Sequence, residues 1–269
     1  MIMREFAGYR IVRVLGSGGM TRLYVAMDDL QNRVVLRHLL DHCADNRTAR
    51  QQFFDGADLL RRLNHPNIIK VLKTGSEGDI PFMILEYVES RTLRDLLLSK
   101  DFLLTQNALS LIRQLAAALA YVHDNGYLHL DIKPENILVR PDGRLVLIDF
   151  DLAIKIRRWF KRISQVPGTP AYVAPETLTK HVVDERSDIF SFGVTCYEML
   201  TFHKPFETAR AEQALAAQVD PHIPPTPPRQ YNPQLPSSLE GIVLKCLAKQ
   251  TDDRYPSMSL VTRDLEKIV

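Results

Sequence analysis

The hydrophobic pattern of this chain changes its period near residue 88, and no uniform sheet or bundle accommodates both halves. Before that point, short apolar or β-branched runs at 9–15, 22–27, 33–39, 68–73 and 82–87 are separated by Gly-rich or polar turns, which predicts strands. One stretch, 47–63, interrupts them: Phe53, Ala57, Leu60 and Leu63 recur at helical spacing and predict a single helix. After residue 88, the Ala- and Leu-rich stretch 106–125 carries a long apolar stripe, and 188–200 and 239–248 have the character of buried helices. The implied fold class is α+β, with a small β-rich lobe at 8–87, a link at 88–90 and a larger helical lobe at 91–269. A chain of 269 residues suits such a pair of lobes around a cleft, or one large domain. Prolines at 221, 224, 225, 227, 228, 233 and 236 mark a rigid extended connector between two C-terminal helices rather than a recognition segment.

Composition removes several classes of function. A formal net charge of +2 gives no global field for nucleic acid or for an acidic partner. Cys43, Cys196 and Cys246 stand alone, without a C-x-x-C pair, so free thiols in a reducing, cytoplasmic setting are expected rather than a disulfide framework or a zinc site. No apolar run approaches the roughly 20 residues that span a bilayer, and residues 1–9 lack the apolar core of a signal peptide. The histidines at 38, 42, 65, 123, 181, 203 and 222 have no metal-ligand spacing and read as structural or surface residues.

The chemistry concentrates in His129-Leu130-Asp131-Ile132-Lys133-Pro134-Glu135-Asn136, followed by an apolar strand, and in Asp149-Phe150-Asp151 at the end of the next one. One Asp, one Asn and a second Asp in this order suit phosphoryl transfer. Asp131 can orient a hydroxyl and accept its proton, Asn136 and Asp149 offer the hard oxygen donors that Mg²⁺ prefers, and Lys133 can neutralise charge on the moving group. The two segments resemble the H-R-D-x-K-P-x-N catalytic loop and the D-F-G turn of protein kinases.

The resemblance continues over residues 8–268. Gly168-Thr169-Pro170-Ala171-Tyr172-Val173-Ala174-Pro175-Glu176 is similar to the end of an activation segment, and Asp188-Ile189-Phe190-Ser191-Phe192-Gly193 to the start of the central helix of the larger lobe. It implies that Glu176 pairs with Arg254, and that His129 packs beneath Phe150 and near Asp188. Gly16-Ser17-Gly18-Gly19-Met20-Thr21 resembles the glycine loop, whose Gly18 and Gly19 would let the backbone approach phosphates closely. The resemblance further implies nucleotide contacts at Gly16, Val35, Arg37, Glu86, Val88 and Leu138, with ATP and Mg²⁺ as cofactors. The stretch 63–68 and the Gly18-Gly19-Met20 loop are most similar to bacterial eukaryotic-like serine/threonine kinases, and Thr169 favours the serine/threonine type.

Six positions depart from the family pattern, the mildest being Thr21 in the third glycine position of the loop. Arg37 replaces the phosphate-anchoring lysine; it keeps the charge, but a planar guanidinium cannot sit where a compact ammonium did. An ungapped count puts Gly56 where the helix carries its ion-pairing glutamate, although a change of register would bring in Asp55, and Gln52 lies one turn earlier. Val35 adds bulk over the base, Leu130 replaces the arginine that reads activation-segment phosphate at Ser164 or Thr169, and Asp151 replaces the glycine of D-F-G. The segment 155–162 combines Lys155, Arg157, Arg158, Lys161 and Arg162 with Trp159 and Phe160, either as a solvated loop or as a dock for an acidic protein or membrane surface. The expectation is a pseudokinase acting on a protein partner as scaffold or allosteric regulator, with an active atypical serine/threonine kinase as the alternative.

Overall fold

The structure, a computed structural model, describes residues 5–156 and 161–268, so Arg157, Arg158, Trp159 and Phe160 of the basic segment lie outside the described residues. Tertiary contacts divide the chain into two compact units, Met1–Glu89 and Ser90–Val269.

The first unit is an antiparallel sheet of β1 (Glu5–Phe6), β2 (Tyr9–Ser17), β3 (Thr21–Met27), β4 (Arg33–Leu39), β5 (Val71–Glu77) and β6 (Ile80–Glu86), in spatial order β1-β2-β3-β4-β6-β5. Side chains alternate between the two faces of a strand, so each strand serves two environments. Tyr24, Ala26, Val34, Leu36, Phe82 and Ile84 pack with Phe6 on one face. The opposite face carries Val35 and Arg37 of β4, directly across from Val25 and Leu23 of β3 and from Leu85 and Met83 of β6.

The expected helix forms as α2 (Arg47–Arg62), after a short helical turn α1 (Asp41–Ala44) that the sequence pattern does not announce. Asn46 starts α2 by accepting the amides of Thr48 and Ala49, and the buried face includes Phe53, Gly56, Ala57 and Leu60. The strand expected at 68–73 begins only at Val71. Ile68 and Ile69 are apolar because they are buried, but the Ile68 amide closes a turn onto the His65 carbonyl.

The second unit opens with β7 (Arg91–Thr92), α3 (Leu93–Leu98) and α4 (Phe102–Asp124). The start of α4 precedes the expected boundary, since Asp101 caps it by accepting the Leu103 amide. Short strands follow: β8 (Tyr127–Leu128), β9 (Ile137–Val139), β10 (Leu145–Leu147), β11 (Ile154–Lys155) and β12 (Lys161–Arg162). The rest comprises α5 (Pro175–Lys180), β13 (Val182–Val183), α6 (Glu185–Thr201), α7 (Ala211–Val219), α8 (Ser237–Cys246) and α9 (Met258–Glu266). Helix α6 is buried on every side from Ser187 to Thr201 and forms the axis of this unit. Gly193 lets α8 approach that axis, because a Cβ there would stand 2.8 Å from Cys246 Cβ. The proline-rich connector joins α7 to α8 and contains a single 3-10 turn, Pro228–Gln230.

Candidate functional site

The loop 129–136 runs from β8 into a 3-10 turn at Pro134–Asn136. Its start is gripped by Asp188, wholly buried in the first turn of α6, which accepts the amides of His129 and Leu130 at 2.8 Å each and faces His123 Nε2 at 2.9 Å. That grip holds Leu130 at φ 64°, in the left-handed region. For a residue with a side chain this conformation costs about 1–2 kcal/mol. Burial works to raise the Asp188 pKa, yet the His123 hydrogen bond, the nearby His129 and the loop amides hold it below the ordinary carboxylate value. His129 lies edge-on to Phe150 at 4.5 Å, and burial pushes its imidazole below the ordinary value.

Asp131 is held by one oxygen. Asn136 Nδ2 donates to its Oδ2 at 2.7 Å, and Lys133 Nζ lies 2.8 Å from the same atom. The other oxygen, Oδ1, is buried without a hydrogen-bond partner among the described residues. An oriented carboxylate with one uncommitted oxygen is what a hydroxyl proton acceptor requires. Gly168, at φ 82°, closes over it: a Cβ there would lie 2.9 Å from the Leu130 carbonyl oxygen and 3.2 Å from Asp131 Oδ1. Lys133 also donates to Thr169 Oγ1 at 3.1 Å, tying the loop to the segment before α5.

The Ile148 amide donates to the Asn136 carbonyl at 2.9 Å and brings the chain after β10 alongside the loop. Asp149 follows at φ 62°, so the left-handed residue of this turn is Asp149 and not Asp151. Mg²⁺ binds proteins through one or two carboxylates and fills its remaining positions with phosphate and water. Asn136 and Asp149 fit that demand. Among the described residues no group of three or more His, Cys, Asp and Glu forms a self-sufficient metal cage.

Further pairs brace this region, several of them invisible in the sequence. Arg254 donates to both Glu176 oxygens at 2.8 Å, fully buried, and Ser187 Oγ donates to Glu176 at 3.1 Å. Arg94 of α3 reaches Glu135 of the loop at 2.8 Å, Glu198 of α6 at 2.6 Å and the Tyr172 hydroxyl, which itself donates to Glu198 at 2.6 Å. Burial beside Glu198 pushes the Tyr172 phenol far up, so it remains a donor. Gln218 of α7 donates to the carbonyls of Pro170 and Val173 at 3.0 and 2.6 Å. Arg94, Glu198, Gln218 and His123 belong to no motif that would have flagged them, and Glu135 occupies an unspecified position of the loop motif.

In the first unit, Gly16, Gly18 and Gly19 are exposed, none has a positive φ, and a Cβ at Gly16 or Gly19 would meet nothing. Neither backbone conformation nor packing within the chain requires glycine there. A loop that must admit phosphate to its backbone does. Arg37 is buried, its Nε donating to Thr21 Oγ1 at 3.2 Å and its guanidinium carbon lying 6.0 Å from the Phe53 ring centroid. Gly56 is buried on the inward face of α2, whereas Asp55 is exposed and accepts from Gln51 at 2.7 Å. Asp55 is therefore not an inward-facing carboxylate, whereas Gly56 faces inward; Gln52 is half-buried. Val35 is half-buried beside Arg37 on the same sheet face, Glu86 caps the Lys70 amide at 3.0 Å, and Val88 is buried. Leu138 belongs to the second unit, on β9 between β10 and β7.

An antiparallel sheet with one principal helix, followed by a helical unit carrying this Asp-Lys-Asn loop and Asp149 turn, is the two-lobed architecture of protein kinases. Residues 9–265 match the protein kinase domain family. The chain is 32% identical to the serine/threonine-protein kinase PrkC of Bacillus subtilis, over 99% of its own length and 41% of that protein. It is 32% identical to the serine/threonine-protein kinase PknB of Mycobacterium tuberculosis, over 97% of its length and 42% of that protein. It is also 34% identical to a probable serine/threonine-protein kinase of Streptomyces coelicolor, over 96% and 39% respectively. The chain therefore belongs to the bacterial-type serine/threonine branch of the protein kinase family. It spans about two fifths of the length of these relatives. Members of the family use ATP with Mg²⁺. No helix among the described residues is long and apolar enough to cross a membrane.

Proposed function

We propose that this domain is a pseudokinase: it binds Mg·ATP weakly or not at all and acts on a protein partner as a scaffold or allosteric regulator. One observation carries the reading. The basic residue of β4 is Arg37, and the position of α2 that would offer it a carboxylate is the buried Gly56. Phosphoryl transfer depends on preorganised charge around the phosphates, so loss of the lysine–glutamate pair harms catalysis more than an intact proton acceptor offsets. In this reading Gly16, Gly18, Gly19, Val35, Arg37, Glu86, Val88 and Leu138 line the nucleotide site, Asn136 and Asp149 hold the metal, and the basic segment 155–162 docks an acidic surface.

A second reading has a specific observation in its favour. Asp131 keeps an uncommitted buried oxygen beside Lys133 and Asn136, which supports an active atypical kinase that transfers the ATP γ-phosphate to a protein hydroxyl. The two readings separate in one assay. Purified protein incubated with radiolabelled ATP and Mg²⁺ incorporates no label if it is a pseudokinase. The pair Arg37→Lys with Gly56→Glu then gains activity, and Asp131→Asn abolishes the gain. Label incorporated by the unchanged chain and lost in Asp131→Asn establishes the kinase instead. A thermal-shift titration without response at millimolar ATP eliminates nucleotide binding.

A further inference from the structure

Two of the departures from the family pattern meet in a single hydrogen bond. Thr21 stands at the third glycine position of the loop and Arg37 at the lysine position, and both are buried, at 4% and 6% exposure. Their contact uses Nε, the guanidinium nitrogen nearest the side-chain stem, at 3.2 Å from Thr21 Oγ1. Such a bond fixes the plane of the guanidinium in a way that a bond to a rotating ammonium cannot. Phe53 of α2 presents its ring 6.0 Å from the guanidinium carbon, within the range of a cation–π contact. Phe53 lies on the same buried face of α2 as Gly56, nearly one turn earlier. The helix thus still engages the basic residue of β4, through an aromatic face rather than a carboxylate. A buried charge needs compensation. A hydroxyl oxygen and an aromatic ring supply part of it.

We propose that Thr21 and Phe53 are positioning residues that help orient the Arg37 guanidinium toward the nucleotide phosphates. The phosphate-directed part of this inference rests on the nucleotide-site reading above; the coupling of Thr21 to Arg37 does not. It implies that threonine and arginine form a matched set, so that restoring either family residue alone is harmful.

The test is a double-mutant cycle in the full 269-residue chain with Thr21→Ala, Arg37→Lys and their combination, and with Thr21→Ser as the conservative control. Two quantities are read: the melting temperature without nucleotide, and the Kd for Mg·ATP. Thr21→Ala is expected to lower the melting temperature by about 2–4 °C and to weaken Mg·ATP about tenfold, the loss of one hydrogen bond to a charged group. In the Arg37→Lys background the same change has much less effect on both readouts, and Thr21→Ser restores most of each. Phe53→Leu, run through the same cycle, behaves as Thr21→Ala does. Equal effects of Thr21→Ala in both backgrounds overturn the coupling. No Mg·ATP response in the unchanged chain overturns the nucleotide site, and with it the phosphate-directed role, while the nucleotide-free cycle still decides the coupling.

Discussion

The two units of this chain treat the same kind of problem, a charged side chain out of water, in different ways. In the helical unit, Asp188 satisfies two backbone amides and faces His123, and Glu176 meets Arg254 with both oxygens. In the β-rich unit, Arg37 meets a threonine hydroxyl and an aromatic face, and the helix position nearest in role to a carboxylate is glycine. The helical unit holds its loop with enough interactions to sustain left-handed backbone at Leu130 and Asp149. The difference teaches that one unit can keep a dense set of charge-compensating bonds while the other changes the chemistry around its buried charge. Asp188 and Glu176 make these structural bonds whether or not any phosphate is transferred.

The largest effect should come from breaking the stronger half. Asp188→Ala leaves two buried amides and His123 without their acceptor and is expected to cost about 3–5 kcal/mol, read as the shift in a urea midpoint. A loss below 1 kcal/mol would show that the loop does not depend on that grip. Gly168→Ala ranks next. The added methyl must displace the Leu130 carbonyl or Asp131, on a backbone at φ 82°, which predicts a loss of about 1–3 kcal/mol. It also predicts loss of whatever transfer the Arg37→Lys with Gly56→Glu chain displays.

Acid sensitivity comes third and again singles out the helical unit. Burial holds His129 below its ordinary pKa, so as pH falls past about 6.5 the unfolded chain takes up a proton that the folded chain resists. Stability is therefore full above that pH and declines below it, by at most about 1.4 kcal/mol per pH unit for one proton. Asp188, held below its ordinary value, adds a second loss at lower pH, as it is forced to protonate. Urea midpoints at pH 7.5, 6.0 and 5.0 trace the first window, and His129→Phe should flatten it. The smallest effect belongs to Asp55. Exposed and bonded locally to Gln51, it should tolerate Asp55→Ala within about 0.5 kcal/mol and without change in Mg·ATP affinity. A large loss of affinity there would restore it as the partner of Arg37.

Much of the fold and the outline of the site were legible in the sequence, for a local reason. Strand and helix periodicity are properties of neighbouring residues, and the loop and the Asp149 turn are contiguous, so their chemistry could be read without coordinates. Boundaries were less legible where burial and local hydrogen bonding diverge: Ile68 and Ile69 are apolar and buried yet precede the strand, and Asp101 starts α4 ahead of its apolar stripe. Least legible were the partners. Thr21 with Arg37, Gln218 with Pro170, and Arg94 with Glu135, Glu198 and Tyr172 join positions from 16 to 104 residues apart. No local pattern encodes such a meeting.

The sequence by itself determined the change from strands to helices, the Asp-Lys-Asn loop, and the substitutions at 37 and 56. Only the tertiary structure decided what those substitutions mean. A side chain's identity sets which hydrogen bonds it can make, but packing chooses which ones it makes, and so set Arg37 against the Thr21 hydroxyl and the Phe53 ring.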